Sequence, residues 1–258
     1  MFEDFKPVTF MAPRELPEVE VYPLHDIHYG NELFDAEKWK RAKTEILAAP
    51  NRYCILLGDM LECVIAGVSK GDAYKQMHDP HEQLVWLAQQ LDELRDRVLM
   101  VIPGNHENRI LTYAGLDIVQ CACAKAGIEE RYRHIFGLCV LSVGVREKNR
   151  QTKYSLFGIH RATDQKRFCS ADTIQNVDAF LYGHDHDPKD HPRSVLYYDP
   201  ANDMITQRNV EVLDCGSFIP TFGGYGARSG YRPTSNKSYK LVLHQGKQKK
   251  IETVGFYF

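Results

Sequence analysis

Three short apolar runs in the first half of the chain constrain its architecture most. They are VEVYPL (19–24), YCILLG (53–58) and VLMVIPG (98–104), and each reads as a strand. Between and after them lie stretches with helical spacing. Residues 35 to 49 form one. A second starts at Asp79-Pro80, a side-chain acceptor followed by a residue with no amide to satisfy, and runs to about Arg95 with Leu84, Leu87, Leu91 and Leu94 on one face. Residues 107 to 126 suggest a third. Strand and helix alternating in this way predict a largely parallel sheet with crossover connections.

The second half reads differently. Strands are expected at roughly 137–145, 152–159, 178–182, 194–200, 208–214, 238–244 and 250–257, and helices are scarce. Residues 215–236, CGSFIPTFGGYGARSGYRPTSN, are too rich in Gly, Pro and Ser for regular structure and read as a long loop near the site. Residues 1–18 read as an extended N-terminal arm. With 258 residues the chain can bury a full-sized core, so 1–258 is taken as a single domain.

Composition narrows the class of protein. No apolar run approaches the roughly 18 residues of a membrane span, and the first residues lack the basic start and apolar core of a secretory signal. The seven cysteines show no CxxC pairing, and Cys121 and Cys123 are expected to be inert packing on a helix. A reducing, cytoplasmic location is the expectation. Net charge is −2, yet residues 215 to 251 hold seven basic side chains and no acid, so the remainder carries nine negative charges net. That asymmetry suits either an anionic partner or a solvated hairpin.

The chemistry lies just past the end of each strand. After the first come Asp26 and His28 in HDIHYG; after the second, Asp59 and Glu62 in GDMLE; after the third, Asn105, His106, Glu107 and Arg109 in GNHENR. A later strand ends at His160 in FGIHRA, and another leads into His184 and His186 in GHDH. The C-terminal edge of a parallel sheet is where ligands bind, so five separate segments are expected to converge on one site. Two carboxylates, one amide and four imidazoles suit Mn, Fe or Zn. They exceed what one ion takes and fit a pair sharing a carboxylate.

In this order the motifs D-x-H, G-D-x-x-[DE], G-N-H-[DE], a lone His and G-H-x-H resemble the calcineurin-like metallophosphoesterases, from Asp26 to His186. The resemblance implies an α/β fold of two mixed β-sheets packed as a sandwich flanked by helices. It also implies two divalent cations, Mn first and Fe, Zn, Ni or Mg as alternatives. Asp26, His28 and His186 would hold one, Asn105, His160 and His184 the other, with Asp59 bridging. The attacking group would be a hydroxide shared by the two ions, His106 the general acid, and Glu62 the carboxylate that orients it. Glu62 stands where the family more often has Asp. Glu107 reads as a supporting residue, His25 receives no role, and His78, His81, His134, His191 and His244 read as surface or packing residues.

Arg109, Arg161, Arg228 and Arg232 are candidates for contacts to substrate phosphate. Phe218, Phe222, Tyr225 and Tyr231, interleaved with the last two arginines, suggest stacking of bases. The expectation is a phosphodiesterase or nuclease acting on DNA, RNA or nucleotides, nearer the DNA-repair exonuclease-like and phage members than the protein phosphatases. The alternatives are a phosphomonoesterase acting on a metabolite or phosphoprotein, and a catalytically silent interaction platform. The sequence leaves a homodimer open.

Overall fold

The structure is a computed structural model that describes residues 5–67, 76–146, 150–160, 174–220, 230 and 232–258. Two mixed β-sheets pack face to face. The five-stranded sheet contains β2 (Glu18–Leu24), β3 (Arg52–Leu57), β4 (Val98–Ile102), β11 (Lys237–His244) and β12 (Lys250–Tyr257), in the order β12-β11-β2-β3-β4. The second sheet contains β1 (Val8–Met11), β5 (Phe136–Arg146), β6 (Arg150–His160), β7 (Ala179–Gly183), β8 (Lys189–Asp190) and β10 (Met204–Asp214), in the order β1-β5-β6-β7-β10-β8, with β9 (Arg193–Asp199) paired to β10. The pairs β2·β3, β3·β4 and β6·β7 are parallel, so these strands deliver their C-terminal ends to one edge of the sandwich.

Two apolar layers hold this arrangement. Val21, Ile55, Leu57, Met100 and Ile102 of the smaller sheet meet Leu141, Tyr154, Leu156 and Leu181 of the larger, all buried. On the outer face of the smaller sheet, Tyr22, Leu56 and Val101 pack against three helices: α1 (Ala36–Leu47), α2 (Pro80–Glu93) and α4 (Ile118–Lys125). Leu87 and Leu91 are almost fully enclosed there, and each such burial is worth about 1.5–3 kcal/mol. Asp79 caps α2: its side chain accepts from Glu82 N at 2.8 Å, and Glu82 Oε2 accepts from Asp79 N at 2.9 Å.

Three local expectations change. The arm is partly structured, because residues 8–11 form β1 and pair in parallel with β5 from Val8↔Cys139 to Met11↔Ser142. The helix expected over 107–126 is two helices, α3 (Asn105–Ala114) and α4. Gly115 ends α3 in the left-handed region at φ +66°, and the Asp117 side chain then caps α4 by accepting from Gln120 N. Moreover, α3 begins at Asn105, two residues earlier than its periodicity suggests. No helix among the described residues is long and apolar enough to cross a membrane.

Three of the seven basic side chains in the C-terminal segment pair with acids in the structure. Lys240 pairs with Glu20 at 2.9 Å, Lys249 with Asp178 at 2.6 Å, and Lys250 with Glu252. Glu20 and Asp178 come from outside the segment, while Glu252 lies on β12 beside Lys250. Cys123 is buried and Cys121 half-buried on α4, and the six described cysteines are free thiols; Cys169 lies outside the described residues.

Candidate metal centre

The loops after β2 and β3 continue side by side beyond their strands. Asp26 N donates to Gly58 O, His28 N to Asp59 O, and Glu62 N to Tyr29 O, each within 3.0 Å. To make these turns the chain takes left-handed conformations at Asp26 (φ +51°), His28 (+53°), Asp59 (+49°) and His184 (+82°). Side chains rarely accept that geometry, and such strain gathers where function fixes the residue. Glycines let the loops close: a Cβ at Gly104 would stand 2.1 Å from Asp59 Oδ1, and one at Gly58 2.6 Å from the His160 ring.

The start of α3 binds this cluster. The first amides of a helix lack intrahelical partners. Here His106 N donates to Asp59 Oδ1 at 2.8 Å. The buried Glu107 carboxylate accepts from Gly104 N at 2.7 Å, Leu61 N at 2.7 Å and Asp59 N at 3.1 Å, joining the GDMLE loop to the GNHENR turn. Burial, and then the charge of Asp59, push its pKa up to about 7.

Three ligand atoms, one each from Asp26, His28 and His186, lie within 4.8 Å of one another, and so do three from Asp59, His160 and His184. In the first group His186 Nε2 is 3.1 Å and His28 Nε2 3.5 Å from Asp26 Oδ1. In the second, His160 Nε2 is 3.2 Å from Asp59 Oδ2 and 3.1 Å from Asn105 Oδ1. Asp59 Oδ2 also lies 4.0 Å from His28 Nε2, so this oxygen stands between the two groups. His184 and His186 diverge where the chain bends at His184, just past the end of β7 at Gly183. The ring of His184 lies 5.3 Å from that of His160, and the ring of His186 5.4 Å from that of His28.

The donor set fits cations. His28 Nε2 is buried and has no hydrogen-bond partner among the described residues. Its Nδ1 is committed to Glu62 Oε2 at 3.0 Å, which aims the other nitrogen's lone pair at the carboxylates when the ring is neutral. His160 is fixed likewise by Nδ1 on Leu57 O at 2.7 Å. Burial favours neutral rings, but the carboxylates outweigh it: His28 is raised well above the usual imidazole range and His160 to about 9. Burial alone would raise the Asp26 and Asp59 carboxyls, and the adjacent imidazoles instead hold both low.

Around this centre the remaining candidates take varied places. His106 Nδ1 lies 2.7 Å from the Glu62 main-chain carbonyl, and Nε2 faces Asp59 Oδ2 at 3.8 Å. Burial lowers its pKa to about 4, against the pull of Asp59. The Glu62 carboxylate is 3.7 Å from His106 but 3.0 Å from His28, so its side chain serves His28 first. Arg109 Nη1 approaches the Glu62 carbonyl at 3.3 Å and His106 Nδ1 at 3.2 Å. Arg232 is exposed, while Arg161 and Arg228 lie outside the described residues, as do Phe222, Tyr225 and Tyr231.

Phe218 requires a correction. Its ring is 1% exposed, packed on Trp39 and Phe258, and so is unavailable to stack a base. Its backbone instead braces the site, its N–H bonding Asp26 O and its carbonyl accepting from Asp35 N, both at 2.9 Å. Lys38 is a residue that sequence reasoning misses: its Nζ is buried against Ser217 O at 2.8 Å and over the Phe218 ring at 5.2 Å. Its place on α1 gives no signal beyond that of a surface lysine.

No protein-family model matches this chain, and no curated protein does. Among solved structures, a crystal structure of Chaetomium thermophilum Vps29 is similar across 93% of this chain and 98% of that one, at 9% identity and a TM-score of 0.39. So loose a likeness carries no argument about the centre, whose reading rests on two His/Asp groups facing one another across Asp59.

Proposed function

We propose that this protein is a phosphoester hydrolase dependent on two divalent cations, with phosphodiesters of nucleic acid or nucleotides as its substrate class. The observation that carries the reading is the pair of ligand groups, Asp26–His28–His186 and Asp59–His160–His184, with Asp59 Oδ2 between them. When bound, such cations would lower the pKa of a coordinated water toward neutrality and offset charge on phosphoryl oxygens. Asp26, His28 and His186 would hold one ion; Asn105, His160 and His184 the other; Asp59 both. Manganese is the metal we expect first.

The chain's own residues divide the rest of the work. His106, tethered through Nδ1 to the Glu62 carbonyl, offers Nε2 at 3.8 Å from Asp59 Oδ2. It starts neutral, with its pKa held down to about 4, so proton donation to a leaving oxygen depends on the negative charge that a phosphoryl group brings beside it. Arg109, half-buried next to His106, adds positive charge on that side. The diester preference is supported by the sequence of 215–236, where Arg228 and Arg232 alternate with Tyr225 and Tyr231.

The experiment is a side-by-side assay of bis(p-nitrophenyl) phosphate and p-nitrophenyl phosphate with added Mn²⁺, alongside metal content by elemental analysis. Faster turnover of the bis-ester with two ions bound supports the reading. Faster turnover of the mono-ester moves the substrate class to phosphomonoesters. Metal-free protein in the presence of Mn²⁺ overturns the reading and favours an interaction platform.

A further inference from the structure

We propose that His25 is a positioning residue that fixes which oxygen of Asp26 faces the centre, an inference that rests on the reading of that centre as a metal site. His25 is fully enclosed, and its Nδ1 contacts Asp26 Oδ2. An ionised carboxylate only accepts, so Nδ1 carries the proton and donates it. The same oxygen accepts a second bond, from His184 N at 2.8 Å. Oδ2 is therefore occupied by protein donors, while Oδ1 faces His186 and His28 at 3.1 and 3.5 Å.

Two hydrogen bonds on one oxygen prevent the carboxylate from rotating about its Cβ–Cγ bond and present the other oxygen alone. A partner of this kind behind a ligand commonly changes metal affinity about 10- to 100-fold. Packing alone does not account for the residue. The His25 Nε2 is buried without a partner among the described residues, a desolvation cost that an apolar side chain of similar size would avoid. The neighbourhood is tight as well, since a Cβ at Gly183 would lie 3.3 Å from His25 Cβ. The imidazole is useful here for its Nδ1 donor.

Three substitutions separate donor from filler. Asn places an amide nitrogen where Nδ1 stands, Gln places it one bond further out, and Leu supplies none. Mn²⁺ titrations of metal-free protein, followed by electron paramagnetic resonance of the free ion, read both binding steps. For His25→Leu one step is expected to weaken by about 10- to 100-fold with the other unchanged, and His25→Asn should restore it. Wild-type affinity at both steps in His25→Leu, or equal weakness in His25→Leu and His25→Asn, overturns the proposal. Should the Leu variant fail to fold, the comparison passes to Asn and Gln, where equal affinities overturn it and tighter binding by Asn supports it. Wild-type protein that takes up no Mn²⁺ sinks the metal-centre reading itself, and the role of His25 with it.

Discussion

Glu62 and His28 are joined across 34 residues of chain by a 3.0 Å contact between Oε2 and Nδ1. The resemblance in the sequence would give this carboxylate to His106; here it lies 3.7 Å from His106 Nδ1 and 3.0 Å from His28 Nδ1. Glu62→Gln should accordingly weaken Mn²⁺ binding by about 10- to 100-fold and move the His106 limb of the turnover profile, on the acidic side, only slightly, to lower pH, because the Glu62 charge raises His106 less than Asp59 does and the ring stays held by the Glu62 main-chain carbonyl. Titration of Mn²⁺ together with a pH–rate profile checks this. A displaced profile at unchanged affinity would return Glu62 to His106.

Asn105 Oδ1 lies 3.1 Å from His160 Nε2, on the side of the second ligand group. Asn105→Ala should reduce the bound metal from two equivalents to one. Elemental analysis after gel filtration measures the change.

Metal uptake should release protons. With its pKa raised to about 9, the His160 ring carries a proton at pH 7.5 that it must lose to coordinate, and His28, raised in the same direction, adds to the effect. Affinity for Mn²⁺ is therefore expected to rise with pH up to about 9. Calorimetric titrations in two buffers of different ionisation enthalpy give the proton count directly.

Gly104 leaves no room for a side chain, since a Cβ there would overlap Asp59 Oδ1. Gly104→Ala should cost at least about 2 kcal/mol of stability or displace the Asp59 carboxylate. Urea unfolding read together with metal content registers either outcome.

Lys38 offers a test remote from the ligands. Burial lowers its ammonium pKa from 10.5 to about 8, partly offset by Asp35. Between those two values the unfolded chain binds more protons than the folded one, so the contribution of Lys38 to stability rises with pH across the window 8 to 10.5. Lys38→Met removes this dependence. Wild type should gain on the order of 2 kcal/mol relative to the variant from pH 7.5 to pH 10, as measured by paired urea titrations.

The strands and most helix positions are legible in the sequence because periodicity and capping are local: Asp79-Pro80 announces α2, and Leu87 and Leu91 mark its buried face. The break between α3 and α4 is hidden because Gly115 sits inside an otherwise helical pattern, and only the following Asp117 reveals a second cap. At the centre, residue types and order place Asp26, His28, Asp59, His160, His184 and His186 on converging loops. What order cannot supply is the direction of each side chain. The partner of Glu62, the burial of Phe218 and the enclosure of His25 depend on tertiary distances among segments far apart in sequence.

Each ligand group draws on both sheets. Asp26 and His28 come after β2 while His186 comes after β7; Asp59 comes after β3 while His160 ends β6 and His184 comes after β7. A half-assembled chain, with either layer formed alone, holds neither triad. Under the proposed reading, cation capture would report completed docking, and an ion seated there would act as a rivet between the two layers at the rim.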